Sequence, residues 1–501
     1  MRLRIENKKN RVGQASLLII ISGLVSKILA AIYRIPYQNI VGDRGFYAYQ
    51  QIYPILAIIS TLSLTAFPNI LSSLMNHSKK YNLKTILLIE IIVCYTVSLL
   101  LYVFRNPLAI LLGTSQFSLS IILLSILLIL TPFLSFYRGM AQSDENMIPT
   151  SVSQVLEQFV RIGVIILSAI GYSIFHWTIY QTANYAVSGN LIASFFTLIY
   201  LKKQSSYRFR DYISQGNFSF TDLKSISSST LIFLFYSIYL LLFQFLDSLL
   251  VKSNLVLGGV GNIEAEVVKG FYDRGQPIIQ FGLIFSTAIF TSFLPLLTRK
   301  YHSDLPSYQT ITQELFEFIF YGNLVITFGL ISILDKINII LFKESGKLIS
   351  LGVYCCLVFL SSTVQFLHQK YFIEGKNRSS FIYLMVGLLL KLCLTPLFVI
   401  YFNILGASIS SVIAFSCVLI LYLKTSKLDL HFMYNLKFYF LLSILFFTVS
   451  GLLSLIHETN RLMLLFILIG IVGISGSIFA YFCLKFSVFK KTLWQFIPFV
   501  K

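Results

Sequence analysis

Ionisable side chains inside apolar segments are the residues of this sequence with the greatest capacity for chemistry. Lys27, Arg34, Arg161 and Lys391 lie within, or at the edge of, apolar runs long enough to cross a bilayer as a helix. Placing such a charge at the centre of a membrane helix costs about 2.5–3.5 kcal/mol, so we expect each to have a role. Guanidinium groups bind phosphate oxygens through two parallel hydrogen bonds. These cations therefore predict a hydrated cavity that binds an anionic, phosphorylated, membrane-associated ligand. A small hydrophilic anion is the alternative ligand. For Lys391, a snorkelling ammonium that reaches the membrane interface is a second alternative.

Acidic residues and one further arginine accompany these cations. Asp273 and Arg274 begin one apolar segment, and Asp247 lies near the predicted external end of the segment before it, where it either reaches water or joins the cavity. Glu157 lies four residues before Arg161, on the same helical face. Glu157 and Arg161 therefore either neutralise each other or both contribute to the predicted cavity.

The stretch "YRIPYQNIVGDRGFYAYQQIYPI" (33–55) concentrates polar groups between two apolar runs. We expect Pro36 and Gly42 to loosen the end of the first helix. Gln50, Gln51 and the tyrosines around them could line a polar portal for a sugar, because aromatic faces and amides suit sugars. The alternative is an aromatic belt at the membrane interface, which explains the tyrosines but not the two adjacent glutamines.

The composition is typical of a protein embedded in a membrane. Of its 501 residues, 56% are hydrophobic and 12% are charged, and the mean hydropathy is +0.79. Apolar runs such as 120–136 show no strand-like alternation, so they indicate helices rather than a barrel. We predict about fourteen transmembrane helices, beginning with 14–34 and 46–73. The basic N-terminus is interpreted as the inner flank of the first helix, not as a cleaved signal peptide.

The distribution of basic residues predicts the orientation. Lys and Arg are concentrated in the N-terminal tail, in alternate loops and in the C-terminal tail, which places both termini in the cytoplasm. This asymmetry also accounts for the net charge of +19 without a nucleic-acid partner.

An internal repeat divides the predicted helices into two lobes. "STLSLTAF" (60–67) matches "STAIFTSF" (286–293), and Arg161 and Lys391 are lone cations in corresponding spans. Matching spans have the same predicted orientation. The repeat therefore predicts two parallel six-helix lobes related by a pseudo-twofold axis along the membrane normal. The predicted domains are the first lobe at 1–205, a cytoplasmic inter-lobe loop at 206–225, the second lobe at 226–425, and two additional helices with a basic tail at 426–501.

Motifs of common enzyme and metal sites are missing from the sequence. HExxH and GxSxG do not occur, and "KESGKLIS" (343–350) lacks the first glycine of a phosphate-binding loop. The six cysteines lie in apolar runs without CxxC or Cys/His spacing, so we interpret them as small packing residues. We predict a protein that is not an enzyme and has no catalytic residues, metal site or cofactor, apart from a coupling ion of unknown identity.

Three stretches carry a resemblance to a known family: "SKILAAIYRIPYQNIVGDRGFYAYQQIYPI" (26–55), "QVLEQFVRI" (154–162) and "YDRGQPIIQFGLIFSTAIFTSFLPLLTR" (272–299). They resemble the multidrug/oligosaccharidyl-lipid/polysaccharide (MOP) flippase superfamily, in its Gram-positive polysaccharide-biosynthesis branch of SpoVB-like and YtgP-type (MurJ-like) lipid II flippases. The resemblance spans nearly the whole chain. It implies a bacterial plasma-membrane transporter that moves an undecaprenyl-linked saccharide to the outer leaflet by alternating access.

The resemblance also implies roles for particular residues. MurJ-type relatives carry a Ser-Arg pair on the first helix, which Ser26-Lys27 matches with Lys for Arg, and a Tyr-x-Asp-Arg motif on the eighth, which Tyr272-Asp273-Arg274 resembles with one residue fewer. A second first-helix arginine falls near Arg34, shifted by one position. The second-helix arginine of those relatives has no match in "ILAIISTLSLTAF". Their last two helices help to form a lipid-tail groove, which would explain the two additional helices here.

The sequence therefore predicts a flippase for an undecaprenyl-pyrophosphate-linked saccharide, with lipid II as the first candidate. Cavity cations would bind the pyrophosphate while the prenyl tail stays in lipid. Its partners would be the lipid-linked oligosaccharide, the bilayer and, as candidates, cell-wall synthesis proteins. Two alternatives are a drug/cation antiporter, which needs an anionic site and in which Asp247 and Glu157 would be essential, and a non-transporting scaffold of a wall-synthesis complex.

Overall fold

The computed structural model describes residues 25, 28–29, 32–76, 83–214, 228–457 and 460–489, and all regular secondary structure in these ranges is helical. Within these ranges, eleven helical segments are long and apolar enough to cross a membrane. The predicted all-α polytopic fold is confirmed, and the predicted count of about fourteen spans is consistent with it. Two predicted spans lie within a single kinked helix, and most of the first span lies outside the described residues.

The described residues form sixteen α-helices. They are α1 Arg34–Thr61, α2 Phe67–Asn76, α3 Leu83–Val103, α4 Arg105–Leu111, α5 Ser118–Ser143, α6 Ile148–Phe175, α7 Ile179–Gln204, α8 Phe209–Ser214, α9 Ser228–Leu257, α10 Asn262–Asp273, α11 Gly275–Ser303, α12 Leu305–Phe342, α13 Leu348–Ile373, α14 Asn377–Thr425, α15 Leu436–Ser454 and α16 Arg461–Lys485. A π-helical turn, Leu62–Ala66, joins α1 to α2.

The predicted end of the first span is wrong by about two helical turns. Helical geometry continues through Tyr33 and Pro36, and the backbone first leaves it at Gly42, with φ 71° and ψ 180°. A proline near the start of a helical stretch is tolerated because its missing N–H removes few bonds, whereas a positive φ suits glycine. Arg34 therefore lies roughly 12 Å along the helix axis before this corner, not at the end of the span.

The chain divides into two compact units, residues 1–273 and 274–501. This division falls at Asp273, whereas the six-helix lobes joined at 206–225 stay a prediction. In the first unit α6 packs along α7, and α5 packs against α3 and α7. α1 lies in the interior of this unit, in contact with α6, α7, α9 and α10.

The second unit is built around α12, α13 and α14. α13 packs against α11, α12 and α14, while α15 and α16 pack on each other and on α12. α14 contains a break at Asn403, with φ 57° and ψ −144°. At Gly406 the two halves of α14 approach so closely that a Cβ would lie 2.0 Å from the Phe398 carbonyl oxygen.

Candidate functional site

Arg34 is completely buried in the first unit, inside a group of tyrosines that we call the tyrosine cage: Tyr33, Tyr37, Tyr49 and Tyr53. Its guanidinium carbon lies 4.2 Å from the ring centroid of Tyr53 and 6.0 Å from that of Tyr33, within the range of a cation–π interaction. None of its three guanidinium nitrogens has a hydrogen-bond acceptor in good geometry among the described residues. The cation is therefore held by aromatic faces.

The cage is formed where α1 turns back at Gly42. Tyr33 and Tyr37 lie before the corner, and Tyr49 and Tyr53 lie after it. The hydroxyl groups of Tyr33 and Tyr49 are 3.0 Å apart, and the ring centroids of Tyr37 and Tyr49 are 5.3 Å apart. The polar stretch thus lies in the protein interior and not in an aromatic belt at a membrane interface, which was the alternative to a polar portal, because both arms of the corner are covered by neighbouring helices.

Arg161, on α6, also lies close to this cage. Its guanidinium carbon is 5.8 Å from the ring centroid of Tyr33, and its side chain is buried. Its Nη2 donates to the side-chain oxygen of Gln158, whereas its Nε has no hydrogen-bond partner among the described residues. Two of the predicted site residues, Arg34 and Arg161, therefore lie 6.0 and 5.8 Å from the centroid of one aromatic ring.

Glu157 pairs with Arg138, a residue that the sequence analysis did not select. The Arg138 Nη2 lies 2.6 Å from the Glu157 Oε2, and both side chains are buried. Arg138 Nε donates to Ser153 Oγ and Nη1 to the Ser63 carbonyl oxygen, each at 3.0 Å. Of the two alternatives for Glu157 and Arg161, mutual neutralisation is not what the structure shows, because Glu157 pairs with Arg138 of α5.

Asp273 is the last residue of α10 and of the first unit. Lys269 Nζ lies 2.5 Å from Asp273 Oδ1, one turn along the same helix. Asp273 also interacts electrostatically with Arg34. The crossing of α10 over α1 is tight at Gly270, where a Cβ would lie 2.0 Å from the Asp43 carbonyl oxygen. Lys269 is a second buried cation that the sequence analysis did not select.

Asp247 and the two glutamines also lie in this interior. Asp247 is buried and does not reach water, and its Oδ2 accepts from the Tyr272 hydroxyl at 3.0 Å. The Gln51 amide nitrogen donates to the carbonyl oxygens of Leu112 and Ser248, at 2.7 and 2.8 Å. Gln51 therefore ties α1 to the turn after α4 and to α9, and Gln50 is buried beside it. Their role in sugar binding stays a prediction.

A second polar cluster is centred on Glu266 of α10. Its carboxylate accepts from Arg44 Nε and from the Tyr180 hydroxyl, both at 2.6 Å, and Lys252 Nζ lies 3.9 Å away. These partners come from α1, α7 and α9. The cluster therefore anchors α10 to three other helices of the first unit.

The remaining predicted cations lie elsewhere. In the second unit, Arg274 Nη2 is 3.0 Å from Glu344 Oε2, and its guanidinium carbon is 5.3 Å from the Phe342 ring centroid. Lys391 is fully buried, so it does not snorkel to an interface. Its ammonium contacts the other half of α14 through the Ala407 carbonyl and the Ser410 and Ser411 hydroxyls, at 3.2, 3.3 and 2.6 Å. Lys27 lies outside the described residues.

The described part of the chain contains no group of three or more His, Cys, Asp or Glu residues placed to hold a metal ion. What the first unit offers is three buried guanidinium groups, one of them paired with Glu157, together with aromatic rings and hydroxyls. This combination can bind phosphate oxygens by charge-assisted hydrogen bonds.

Comparison with known proteins gives both a family and a fold. Residues 12–300 match the family model of polysaccharide biosynthesis proteins. The chain is 32% identical over 424 residues to the uncharacterized membrane protein YabM of Bacillus subtilis (strain 168), covering 82% of this chain and 79% of the relative. In the same organism it is 25% identical to stage V sporulation protein B, over 50% of this chain and 51% of the relative, and 24% identical to lipid II flippase MurJ, over 58% of each.

Solved structures support the same fold. A lipid II flippase MurJ in an inward closed conformation superposes with a TM-score of 0.63 at 14% identity, covering 93% of this chain and 100% of that one. An inward-facing multidrug resistance transporter of the MATE family, in the MOP superfamily, superposes with a TM-score of 0.60 at 14% identity, over 80% and 93% of the two chains. At this level of identity, the likeness shows the fold alone.

Proposed function

The chain belongs to the polysaccharide biosynthesis protein family, in the SpoVB/MurJ branch of the MOP flippase superfamily, and from this premise we propose that it exports an undecaprenyl-pyrophosphate-linked saccharide. As a flippase-type multi-pass membrane transporter, it would work by alternating access in a bacterial plasma membrane, with both termini cytoplasmic. Lipid II is the first candidate for the cargo.

One observation carries this proposal. Arg34 is fully buried, and none of its guanidinium nitrogens has a hydrogen-bond acceptor in good geometry among the described residues. A buried charged group without such partners is costly, so its retention favours a ligand that supplies them. The pyrophosphate group has the charge and the oxygens for a guanidinium fork. The tyrosine cage excludes water around Arg34 and supplies hydroxyls for the adjoining sugar.

The prenyl tail would use a separate surface. A groove of about 290 Å³ lies between α15 and α16, and its lining is almost wholly aliphatic and aromatic, with Thr448 and Ser475 as the polar exceptions. A polyprenyl chain gains free energy from such a lining because its apolar surface is covered. This use of α15 and α16 agrees with the expectation for the two additional helices.

The driving force for transport would come from the membrane potential. A bound anion on a cationic site responds to the membrane potential, at about 2.3 kcal/mol per charge per 100 mV. A coupling ion would add to this. Glu157 is paired with Arg138 at 2.6 Å, which argues against Glu157 as the cation-binding carboxylate of a drug/cation antiporter.

The test is depletion of the protein in its host with an assay of lipid II exposed on the outer leaflet. We expect exposure to fall, and Arg34→Ala or Arg274→Ala to fail to restore it at normal expression. Arg105→Ala is the matched control, because Arg105 lies 4.8 Å from the Tyr102 ring outside the site and should rescue fully. Unchanged exposure, also after removal of known paralogues, would contradict lipid II as the cargo.

A further inference from the structure

Lys391 carries its charge inside α14, on the half of the helix that precedes the break at Asn403. Its side chain is fully buried, in an apolar segment where a charge is costly. The ammonium donates to three oxygens of the other half of α14: the Ala407 carbonyl at 3.2 Å and the Ser410 and Ser411 hydroxyls at 3.3 and 2.6 Å. An ammonium has three N–H donors, so these three oxygens, which we call the oxygen cage, match its donor number.

The hydroxyl groups around the ammonium are oriented as acceptors. Ser410 and Ser411 donate their own protons to the Ala407 carbonyl, at 2.9 and 3.0 Å. Thr395, whose hydroxyl lies 3.0 Å from that of Ser410, donates to the Lys391 carbonyl at 2.7 Å. A hydroxyl whose proton is used in this way presents its lone pairs to a further partner. The oxygen cage is therefore the kind of environment that carbonyl and hydroxyl oxygens provide for a monovalent cation.

The backbone beside the oxygen cage is held by contacts that do not involve Lys391. At Gly406 a Cβ would lie 2.0 Å from the Phe398 carbonyl oxygen, so the two halves of α14 touch there. The Ser408 hydroxyl donates to the Ser350 carbonyl of α13 at 2.8 Å. Shortening the Lys391 side chain should therefore leave the three oxygens in place around a space of the size of the missing atoms.

We propose that α14 contains a binding site for a small monovalent cation of the ammonium type, and that the protein occupies this site permanently with its own Lys391 ammonium. The tethered cation joins the two halves of α14 in any ionic medium, because it cannot dissociate. A soluble cation takes the same place only when the side chain is shortened. The site belongs to the second unit and involves no cargo, so this inference goes beyond the proposed function and does not depend on it.

The direct test is chemical rescue of Lys391→Ala in the purified full-length protein in detergent. Alanine lacks Cγ, Cδ, Cε and Nζ, which are the heavy atoms of n-propylammonium. We expect the variant to unfold at a lower temperature than wild type. Because a ligand that binds only the folded state stabilises it, n-propylammonium chloride should raise the unfolding midpoint of the variant by at least about 2 °C and in a saturable manner.

Tetramethylammonium chloride at the same concentration is the matched salt control. It carries the same charge but has no N–H donor for the oxygen cage, so it should leave the midpoint of Lys391→Ala unchanged. Wild type should have one midpoint in both salts, because its site is already filled.

The oxygen cage has a second test that does not require rescue. Ser411→Ala removes the acceptor at 2.6 Å and should lower the unfolding midpoint of the otherwise wild-type protein. In the Lys391→Met background no charge remains to be accepted, so the same substitution should lower the midpoint by less than about half as much. Ser443→Ala is the control, because this hydroxyl donates to the Tyr439 carbonyl of its own helix α15 and should have the same effect in both backgrounds.

The outcomes separate this inference from the proposed function. Failure of n-propylammonium to raise the midpoint of Lys391→Ala, or equal rescue by tetramethylammonium, overturns the cation site. Where Lys391→Ala does not fold, equal effects of Ser411→Ala in the two backgrounds overturn it instead. Neither measurement contains cargo, so both results are independent of the lipid II exposure found on depletion.

Discussion

Gly270 of α10 lies directly against the backbone of Asp43, so that a Cβ at residue 270 would lie 2.0 Å from the Asp43 carbonyl oxygen. This contact fixes how α10 crosses α1. Because Asp273 and Lys269 lie on the same helix, the crossing also determines where these two charges meet the tyrosine cage.

Gly270→Ala should therefore separate α10 from α1. Overpacking of this kind costs about 1–3 kcal/mol, and here the contacted atom belongs to the backbone and cannot rotate away. We expect a lower melting temperature of the purified protein and weaker rescue in the depletion assay. Gly261→Ala is the matched control, because a Cβ there would meet nothing within 4 Å. Equal behaviour of the two variants would contradict the tight crossing.

Tyr53→Leu should destabilise the protein more than Tyr53→Phe. The Tyr53 ring lies 4.2 Å from the Arg34 guanidinium carbon, and a desolvated cation–π interaction contributes about 2 kcal/mol. Phenylalanine keeps the aromatic face, whereas leucine removes it. Thermal unfolding of both variants at one detergent concentration measures the difference, and identical melting temperatures would show that the ring does not hold the cation.

Glu157→Gln should be strongly destabilising. It leaves the Arg138 charge buried without its partner, a change that typically costs about 3–5 kcal/mol. Asp304→Asn is the control, because the Lys300–Asp304 pair, at 3.1 Å, is partly exposed, such pairs contribute little, and asparagine keeps the side-chain oxygen that accepts from the Ser307 N–H. Thermal unfolding of both proteins should show a large drop for the first variant and a small one for the second; the reverse order would contradict the assignment.

The stability of the turn between α13 and α14 should depend on acid pH. Burial acts to raise the pKa of Glu374, but hydrogen bonds from Lys370 and Lys376 outweigh it, so the pKa is lowered from 4.5. A carboxyl with a lowered folded-state pKa stabilises the fold above its unfolded pKa, and this contribution is lost as pH falls through the folded value.

We therefore expect the melting temperature of wild type to decline below about pH 4.5, the ordinary value for glutamate. In Glu374→Gln this part of the decline should be missing, while the melting temperature near neutral pH should be lower. A pH series of thermal unfolding on both proteins provides the measurement. Parallel curves for the two proteins would show that Glu374 does not contribute.

The helical membrane fold could be predicted because apolar run length alone distinguishes spanning helices. The end of the first span could not, because Pro36 suggests a break, whereas packing keeps the helix intact as far as Gly42. Arg34 and Arg161 could be selected from the sequence because a charge inside an apolar run is costly; both are buried near Tyr33, and their role in ligand binding stays a prediction.

Arg138, Lys269 and Glu266 were missed for a common reason. Each lies at or beyond the end of a predicted apolar run, where charged residues usually face water, yet all three are buried. Their partners are set by tertiary contacts that a single sequence does not reveal. A weak signal existed for Lys269, which lies four residues before Asp273 at helical spacing.

The corner at Gly42 has a consequence for the order in which the protein assembles. The residues that cage Arg34 lie within one short stretch, Tyr33 to Tyr53, so the cage needs only a local hairpin of two helices. Contacts close in sequence form early, and synthesis delivers this hairpin long before α6 brings Arg161. The aromatic rings that surround Arg34 thus belong to the segment that is synthesised directly after it. Burial of this charge therefore does not have to wait until α6 is made.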